Sequence, residues 1–369
     1  MQPIKIVYSG GGTLGPVTPL LALHDILQQE FGTDYQGLWV GTKEGIEREL
    51  VLSSGLQFYS ISAGKFRRYL SAWNFLDPLR ALIGFFQSLF FLLRHRPNLC
   101  VSAGGFVSVP LHWAAWFLGI PTWIHQQDVH IGLANILMKP VAQKITTVLQ
   151  AQTALFPSKK TIWLGNPVRP SIFFGNKEKA QELFHLNPNL PTIFALGGGT
   201  GSARINQLII EMLPHICDVA QVIHLSGKDR PQESVTRAQE LFPEQYQVHQ
   251  FFTHEMKHAL AAADVVLCRG GFGSLSETAA LKKAVIVIPK PGHQEENVEY
   301  FSKNKALINL NEEIIDGIFL ANTIKQLLSD TEERIRLGEQ LFSLLPPAEP
   351  GRIIMLVQEL ISESSKNQN

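Results

Sequence analysis

The residues best placed for chemistry lie in the segment Cys268–Glu277, which has the sequence CRGGFGSLSE. The apolar pattern around it predicts a strand, a glycine loop and the helix Leu275–Leu281. Glycines have no Cβ, so the backbone N–H groups of Gly271–Ser274 could approach a diphosphate at the helix start. The Glu277 carboxylate, one turn further on, could bind a ribose diol or only stabilise the positive end of the helix. The glycine loop before it favours the ribose role.

Two other glycine-rich segments follow predicted strands. Ser9–Pro19, with the sequence SGGGTLGPVTP, comes after the strand Ile4–Ser9, and Leu196–Arg204, with the sequence LGGGTGSAR, comes after the strand Thr192–Leu196. Four glycines in the first segment favour an anion-binding turn over a plain strand-to-helix connection. This segment matches neither the dinucleotide pattern GxGxxG with its following acid nor the phosphate-binding loop GxxxxGKS/T.

Polar side chains follow other predicted strands. His125, Asp128 and His130 come after an apolar run, and an acid beside two histidines is a candidate acid–base site. We expect no metal there, because the spacing is not that of a metal site. Pro291–Asn297 is rich in groups that suit sugar hydroxyls, although a polar surface loop has the same composition. Arg169 could pair with a phosphate, close over a base, or form an ordinary surface salt bridge.

These residues need a scaffold, and the rest of the chain predicts one made of parallel sheets. Short apolar runs alternate with segments of helical periodicity, which is typical of strands joined by helical crossovers. A chain of 369 residues favours two domains, and Gly165–Pro170 is a credible linker. We predict two Rossmann-like α/β domains, residues 1–164 and 165–346, that face a cleft and bind ligands at the carboxyl ends of their strands. The amphipathic helix 351–362 is expected to cross back to the first domain.

Composition and charge exclude several classes of protein. Hydrophobic residues make up 45% of the chain and charged residues 17%, with a formal net charge of zero, so we expect a globular protein without a nucleic-acid partner. Cys100, Cys217 and Cys268 are scattered, which indicates a reducing compartment and neither a disulfide framework nor a metal site. The chain enters a strand directly, from which we expect no signal peptide and a cytoplasmic protein.

The most apolar stretch is the predicted helix Leu79–Arg94, which follows Asp77-Pro78 and has too few uninterrupted apolar residues to span a bilayer. Most of it suits a buried core helix. One face, formed by Leu79, Ile83 and Phe86, could instead rest on a membrane surface. The basic residues that would suit anionic lipid headgroups are Lys65, Arg67, Arg68 and Arg80.

Together these segments resemble the MurG family of bacterial cell-wall assembly, in order through nearly the whole chain. The resemblance is carried by GGGTLGPVTPLLAL, VGTKEGIERELV, GKFRRY, SAGGFVSVPLHWAAWFLGIP, HQQDVHIGLAN, GNPVRP, LGGGTGSARINQ, ADVVLCRGGFGSLSETAA and PGHQEENV. Each stretch alone is weak evidence, whereas all of them in order are specific. The family has a two-domain GT-B fold. It transfers N-acetylglucosamine from UDP-N-acetylglucosamine to lipid I, which forms lipid II, on the cytoplasmic face of the bacterial inner membrane.

The resemblance implies a donor site in the second domain and a lipid acceptor site in the first. Phe252 corresponds to a backbone clamp on uracil, Arg169 to an arginine at the nucleotide edge, and Glu277 to the ribose contact. Gln294 corresponds to a glutamine that reads sugar hydroxyls, and Lys65–Tyr69 with the helix after Asp77 corresponds to the acceptor and membrane region. The other donor-binding positions implied are Thr13, Leu14, Gly15, Asp128, Gly199, Phe272, Gly273, Ser274, Leu275 and Ser276.

Four positions depart from the family pattern. The family's first loop, GGTGGHxxP, carries a histidine that is the favoured general base; Pro16 stands at that place here, and Leu14 replaces a glycine. Asp128 replaces the asparagine of the family's HEQN motif, and Gly199 replaces a serine. Because proline cannot accept a proton, another group deprotonates the acceptor, or the acceptor differs, or the protein is inactive.

Our hypothesis is that Asp128 is the base, with His125 or His130 as its neighbour, since an acid appears at a sugar-facing position where the usual base is lost. We predict an inverting hexosyltransferase that uses UDP-N-acetylglucosamine and an undecaprenyl-linked lipid acceptor at the membrane surface, with no tightly bound metal or other cofactor. The alternatives are the same fold and donor with another acceptor, or a non-catalytic UDP-sugar-binding scaffold of cell-wall assembly.

Overall fold

The computed structural model describes residues 3–64, 73–252 and 254–367. The chain forms two compact units: the first consists of Met1–Arg169 and Ala348–Asn369, and the second of Pro170–Pro347. Each unit is a parallel sheet with helical connections, which confirms the predicted pair of Rossmann-like folds.

The sheet of the first unit contains the strands β1 (Ile4–Ser9), β2 (Tyr35–Gly41), β3 (Gln57–Ser60), β4 (Leu99–Ser102), β5 (Thr122–Gln126), β6 (Lys144–Thr147) and β7 (Thr161–Trp163). Within the described residues they are paired in the order β3-β2-β1-β4-β5-β6-β7. The last four residues of β1 are buried, as expected for the middle of a parallel sheet with helices on both faces.

The helices that cover this sheet are α1 (Thr18–Phe31), α2 (Glu47–Ser53), α3 (Trp73–His95), α4 (Ser108–Phe117) and α5 (Leu133–Met138). One face of the sheet packs on α1, where Leu23 and Leu27 meet Tyr8 and Trp39. The other face packs on α3 and α4 through a separate buried cluster that includes Leu111. The core of this unit therefore lies in two layers, one on each face of the sheet.

The sheet of the second unit contains β8 (Thr192–Leu196), β9 (Gln221–Leu225), β10 (Tyr246–His249), β11 (Val265–Cys268), β12 (Ala284–Val287) and β13 (Ile308–Asn309), paired in the order β10-β9-β8-β11-β12-β13. Its helices are α6 (Lys177–Leu183), α7 (Ala203–Ile216), α8 (Glu233–Leu241), α9 (Met256–Ala262), α10 (Phe272–Ala280), α11 (His293–Lys303), α12 (Gly317–Ser329) and α13 (Thr331–Leu344). The apolar sequences of β11, VVLC, and β12, AVIV, are fully buried, which is typical of central parallel strands.

The last helix, α14 (Pro350–Asn367), belongs to the first unit. Its buried residues Ile353, Val357 and Leu360 join the cluster around α1. The Ala348 N–H donates to the Asn166 carbonyl oxygen at 2.8 Å, so the chain leaves and re-enters the first unit at neighbouring points.

Two predicted helix starts are wrong. Helix α3 begins at Trp73 and runs through Pro78, although the sequence predicts a start at Leu79; a proline so near the start removes one helical hydrogen bond without ending the helix. Helix α10 begins at Phe272 rather than Leu275, because Gly273 lies within its first turn and, of these two glycines, only Gly271, the N-cap, remains extended. The two-residue strand β13 is too short to give a periodic signal.

Within the described ranges, no helix is both long enough and apolar enough to cross a membrane.

Candidate functional site

The strand order of each sheet has one switch point, which is a candidate binding position at the carboxyl ends of two adjacent strands. In the first unit the order reverses between β1 and β4, and in the second between β8 and β11. Chains leaving the two strands at such a point diverge to opposite faces of the sheet, which opens a crevice at their carboxyl ends. Leu196 pairs with Cys268, so the glycine loops after β8 and β11 begin side by side.

The start of α10 is open to an anion. Its N-cap is Gly271, and within the described residues no side chain caps this helix. Leu275 N–H donates to the Gly271 carbonyl oxygen at 3.1 Å, so the N–H groups of Phe272, Gly273 and Ser274 have no partner inside the helix. These groups lie at the switch point of the sheet and at the positive end of a helix, where a diphosphate is stabilised.

The other predicted residues of this segment lie in the first two turns of α10. Leu275 and Ser276 are buried with Phe272, whereas Gly273, Ser274 and Glu277 are partly exposed. The exposed side of the helix start therefore consists of two small residues followed by a carboxylate. The apolar members of the predicted set hold the helix against the core.

The loop after β8 is less open. Ser202 caps α7, because its Oγ accepts the Ile205 N–H at 3.3 Å. The Arg230 Nε lies 3.2 Å from the Thr200 carbonyl oxygen and 3.3 Å from that of Gly201, which braces the loop. Gly199 is at its exposed tip. A helix start that its own serine already caps offers fewer N–H groups to a ligand.

Gln294 lies beside the loop that precedes α10. A Cβ on Gly270 would be 2.5 Å from Val298 Cγ2 and 3.1 Å from the Gln294 carbonyl oxygen, so only glycine lets the loop approach α11 this closely. The Gln294 side chain accepts the Lys290 N–H at 3.0 Å. The structure thus brings Gln294 close to the loop that leads into α10.

Phe252 points inward. Its ring packs in an aromatic cluster with Phe184 (ring centroids 5.2 Å apart), Phe194 (6.2 Å) and His249 (5.0 Å). Because the side chain is buried, the backbone is the part of Phe252 that could meet a ligand.

The first glycine loop is poorly suited to a diphosphate. The N–H groups of Val17 and Thr18 both donate to the Leu14 carbonyl oxygen, at 3.1 and 3.2 Å, and Pro16 and Pro19 have no N–H to offer. The first two residues of α1 thus offer no free N–H, because that of Thr18 is bonded and Pro19 has none. Thr13 and Gly15 are exposed and Leu14 is partly exposed. A ligand would therefore meet the side chains of this loop and not a row of free N–H groups.

A buried carboxylate, missed by the sequence analysis, holds this loop in place. Glu47 is fully buried at the start of α2 and accepts hydrogen bonds from the Gly12 N–H (3.4 Å), the Thr42 N–H (2.9 Å) and the Thr42 hydroxyl (2.8 Å). Cβ atoms at Gly11 and Gly45 would lie 2.4 and 2.1 Å from its carboxylate oxygens. The glycines around an acid in VGTKEGIE are the signal that could have revealed it.

Asp128 is exposed on a firmly held loop after β5. Two buried amides fix its backbone: Gln126 Nε2 and Gln152 Nε2 donate to the Asp128 carbonyl oxygen at 2.6 and 2.5 Å. Gln126 also accepts from the Asn135 side chain at 2.7 Å. Asp128 is therefore an exposed residue whose backbone carbonyl is held in place.

His125 has a different environment from Asp128. It is buried, with Nδ1 2.8 Å from the Thr146 hydroxyl and Nε2 3.0 Å from the Asn166 side-chain oxygen. Burial lowers the pKa of His125 to about 4. A neutral imidazole with both nitrogens engaged suits a role in holding the Asp128 loop, whereas His130 is exposed.

Arg169 is the last residue of the first segment of the first unit and is partly exposed. Burial of Asp25 on α1 raises the pKa of this carboxyl, and the charge of Arg169 lowers it. The two side chains are thus within electrostatic reach of each other.

The predicted membrane residues of α3 are exposed. Leu79, Ile83 and Phe86 have exposed fractions of 55, 44 and 58%. Exposed aromatic residues that the sequence analysis missed accompany them on α3 and on α4, which packs beside it: Phe90, Trp116 and Phe117.

One of the predicted basic residues, Arg80, lies in α3. Arg80 pairs with the buried Asp77 at 3.6 Å, which neutralises part of its charge. Lys65, Arg67 and Arg68 lie outside the described residues.

Comparisons with known proteins agree with this architecture. Residues 6–147 match the glycosyltransferase family 28 N-terminal domain and residues 192–342 match the family 28 C-terminal domain. Two relatives carry the name UDP-N-acetylglucosamine--N-acetylmuramyl-(pentapeptide) pyrophosphoryl-undecaprenol N-acetylglucosamine transferase. The protein from Lachnoclostridium phytofermentans is 34% identical, over 90% of this chain and 92% of its own. The protein from Clostridium kluyveri is 33% identical, over 96% of this chain and 99% of its own.

Among solved structures, Acinetobacter baumannii MurG matches with a TM-score of 0.73 and 22% identity, over 97% of this chain and 100% of that one. At that identity the likeness shows the fold, and the curated relatives show the family. The chain belongs to the MurG family of glycosyltransferases.

Proposed function

We propose that this protein transfers N-acetylglucosamine from UDP-N-acetylglucosamine to a lipid-linked N-acetylmuramyl-pentapeptide acceptor, which produces lipid II for peptidoglycan synthesis. The observation that carries the proposal is the uncapped start of α10 at the switch point of the second sheet, with Glu277 and Gln294 beside it. The names of the curated relatives support this donor and this acceptor.

In the proposed reaction the acceptor hydroxyl attacks the anomeric carbon, the carbon–oxygen bond to the diphosphate breaks, and UDP leaves. Negative charge develops on the diphosphate as that bond breaks. The N–H groups of Phe272, Gly273 and Ser274 are fixed by the helix before the reaction, so they stabilise this charge without reorganising. Glu277 is then suited to the ribose diol and Gln294 to the sugar hydroxyls.

The proton of the acceptor hydroxyl needs a base, and Asp128 is our candidate. The residue is exposed while its backbone carbonyl is held by Gln126 and Gln152, a combination that suits a group that must hold its position against a substrate. The neutral, fully engaged His125 supports the loop rather than taking the proton.

The exposed apolar residues of α3 and α4 support binding to the membrane that holds the lipid acceptor. Leu79, Ile83, Phe86 and Phe90 recur at spacings of four, three and four, so they share one side of α3. Such a face can enter the headgroup region of a bilayer without spanning it. We place this contact on the cytoplasmic face of the inner membrane, where the donor nucleotide is available.

The test is to mix the purified protein with UDP-N-acetylglucosamine and lipid I and to measure both UDP release and lipid II. Formation of both products is the expected result. UDP release with another acceptor but not with lipid I would show that the acceptor is a different lipid or a metabolite.

A second candidate function follows from Pro16, which removes the family's usual base from the first loop. A protein that binds the donor but releases no UDP with any acceptor would be a scaffold for cell-wall enzymes. A protein that does not bind UDP-N-acetylglucosamine would contradict both candidates.

A further inference from the structure

We propose that Arg269 is a positioning residue that fixes the loops after β8, β11 and β12 of the donor site relative to one another. We further propose that Glu312 orients Arg269. This inference rests on the proposed function, because it assigns a role within the UDP-binding site of the second unit. It concerns side chains that would not touch the donor themselves.

The guanidinium of Arg269 joins three strand ends. Its Nη1 donates to the Ile288 carbonyl oxygen at 2.9 Å and to Glu312 Oε2 at 2.6 Å, and its Nη2 donates to Ser202 Oγ at 2.6 Å. Ser202 ends the glycine loop after β8, and Ile288 opens the segment that leads from β12 to Gln294. Arg269 itself opens the loop that leads from β11 into α10.

Its surroundings distinguish Arg269 from a phosphate-binding arginine. Only 12% of the side chain is exposed, and the Glu312 carboxylate, 18% exposed, neutralises its charge. Donors on both terminal nitrogens are already used by protein acceptors. A phosphate ligand would instead need a fork of free donors directed at the substrate.

Glu312 is held in turn by a second arginine. Arg204, in the first turn of α7, donates from Nε to the Glu312 carbonyl oxygen at 3.0 Å and from Nη2 to the Ile315 carbonyl oxygen at 2.7 Å. The segment before α12 is thereby fixed to α7. This fixes the Glu312 carboxylate as a support for Arg269.

The geometry requires arginine rather than lysine. A planar fork can reach three acceptors on separate loops in fixed directions, whereas an ammonium is a single point at the end of a flexible stem. Losing this link would let the β8, β11 and β12 loops shift relative to one another. A displacement of about 1 Å in a binding group can cost on the order of 100-fold in activity.

The experiment measures UDP affinity by titration calorimetry for the wild type, Arg269→Lys, Glu312→Gln and Glu312→Ala. We expect weaker UDP binding in Arg269→Lys and Glu312→Ala, on the order of 10-fold, and a smaller loss in Glu312→Gln, which keeps an acceptor oxygen. Glu339→Ala is the matched control: it removes the Lys282–Glu339 ion pair (3.0 Å) of the same unit, and its UDP affinity should equal that of the wild type.

The sign of the Glu312→Ala effect separates positioning from direct contact. If Arg269 bound the diphosphate itself, removal of its counter-ion would free the guanidinium, and UDP binding would stay the same or become tighter. That result overturns the inference.

Steady-state kinetics add a readout that a general folding defect would not move. In Glu312→Ala the KM for UDP-N-acetylglucosamine should rise while the KM for the acceptor stays constant. Partial unfolding would lower the concentration of active enzyme and would leave both KM values unchanged. A thermal melt of each variant measures its stability separately.

Failure of this inference is distinguishable from failure of the proposed function. A wild-type protein that does not bind UDP contradicts the proposed function. A wild type that binds UDP, with Arg269→Lys and Glu312→Ala binding it equally well, contradicts only the role of Arg269.

Discussion

Asp128 is the residue on which the chemistry of the proposed reaction depends most. Replacement by asparagine keeps the shape of the side chain and removes its ability to accept a proton. Because Gln126 and Gln152 hold the backbone carbonyl of residue 128, the loop should not move. We expect Asp128→Asn to lower kcat by about 100- to 10,000-fold in the lipid I assay. Full turnover by a correctly folded Asp128→Asn protein would exclude Asp128 as the base.

Position 11 requires glycine because a neighbouring side chain leaves no room for a Cβ, and no ligand is needed to explain it. A methyl group there would lie 2.4 Å from Glu47 Oε1, inside a buried and hydrogen-bonded carboxylate. We expect Gly11→Ala to lower the free energy of unfolding by about 1–3 kcal/mol, measured in urea. Gly15→Ala is the control, since its Cβ would meet nothing nearer than Thr13 Oγ1 at 3.6 Å. Equal urea midpoints for the two variants would contradict the close contact between Gly11 and the Glu47 carboxylate.

Glu47 also shows a limit of sequence reasoning at the residue scale. A glutamate at the start of a helix normally faces solvent. The glycines in VGTKEGIERELV indicate a close backbone approach near this acid, but they do not identify the loop that buries it. Its burial follows from the close approach of the first glycine loop, which is distant in sequence. The same holds for Arg269, whose three acceptors come from segments that the sequence does not show to be adjacent.

Helix α10 is the element that concentrates the predicted donor contacts. Glu277 lies in its second turn, partly exposed, on a helix whose first N–H groups are open to an anion. We expect Glu277→Ala to weaken binding of UDP-N-acetylglucosamine by about 10-fold or more, because hydrogen bonds to a charged group are lost. Glu299→Ala on α11, which removes an exposed pair with Lys303, is the control. Unchanged donor affinity in Glu277→Ala would remove Glu277 from the ribose role.

The apolar surface of α3 and α4 gives a prediction about membrane binding. Phe90 is 71% exposed and lies on the same side of α3 as Phe86. We expect Phe90→Glu to reduce binding to vesicles that contain anionic lipids by about 10-fold. The wild-type ring is transferred from water into the bilayer, whereas a carboxylate is not. Leu241→Glu on α8, also highly exposed at 69%, should bind like the wild type. If both variants bind equally, α3 is not the docking surface.

At the element scale, the sequence predicts which segments are helices better than it predicts where they begin. The apolar run of α3 is visible in the sequence, yet its side chains divide between a buried face and an exposed one, and that division depends on where α4 packs. The sequence predicts a start of α10 that is three residues late, because glycine has a low helix propensity. In the structure Gly271 is the N-cap and Gly273 lies in the first turn.

At the scale of the molecule, alternation of strands and helices is sufficient to predict two parallel sheets, because each strand is a short buried run between helical segments. That alternation does not determine the order of the strands in each sheet. The switch points β1/β4 and β8/β11 depend on which helices cross over which face. All three glycine loops follow strands at these switch points, so the loops differ in how each helix start is capped and not in their place in the strand order.

The whole protein should lose stability in mild acid through its buried histidines. Burial lowers the pKa values of His24, His112 and His125 in the first unit to about 4 and that of His224 in the second to about 3. An unfolded histidine titrates near 6.5, so between about pH 6.5 and 4 the unfolded chain binds more protons than the folded one. Each buried histidine then lowers the free energy of unfolding by about 1.4 kcal/mol per pH unit on acidification.

Urea unfolding at pH 7.5, 6 and 5 measures this dependence, and the midpoint should be lower at each step below pH 6.5. Asp25 acts in the opposite direction, since burial raises the pKa of this carboxyl, but it is a single group against several histidines. His112→Gln removes one titrating group, because His112 is buried between the Ser108 and Trp123 carbonyl oxygens. This variant is therefore expected to start from a lower stability at pH 7.5 and to lose less of it on acidification. A wild-type midpoint that stays constant from pH 6.5 to 4.5 would mean that these histidines titrate in the folded protein as they do in the unfolded chain.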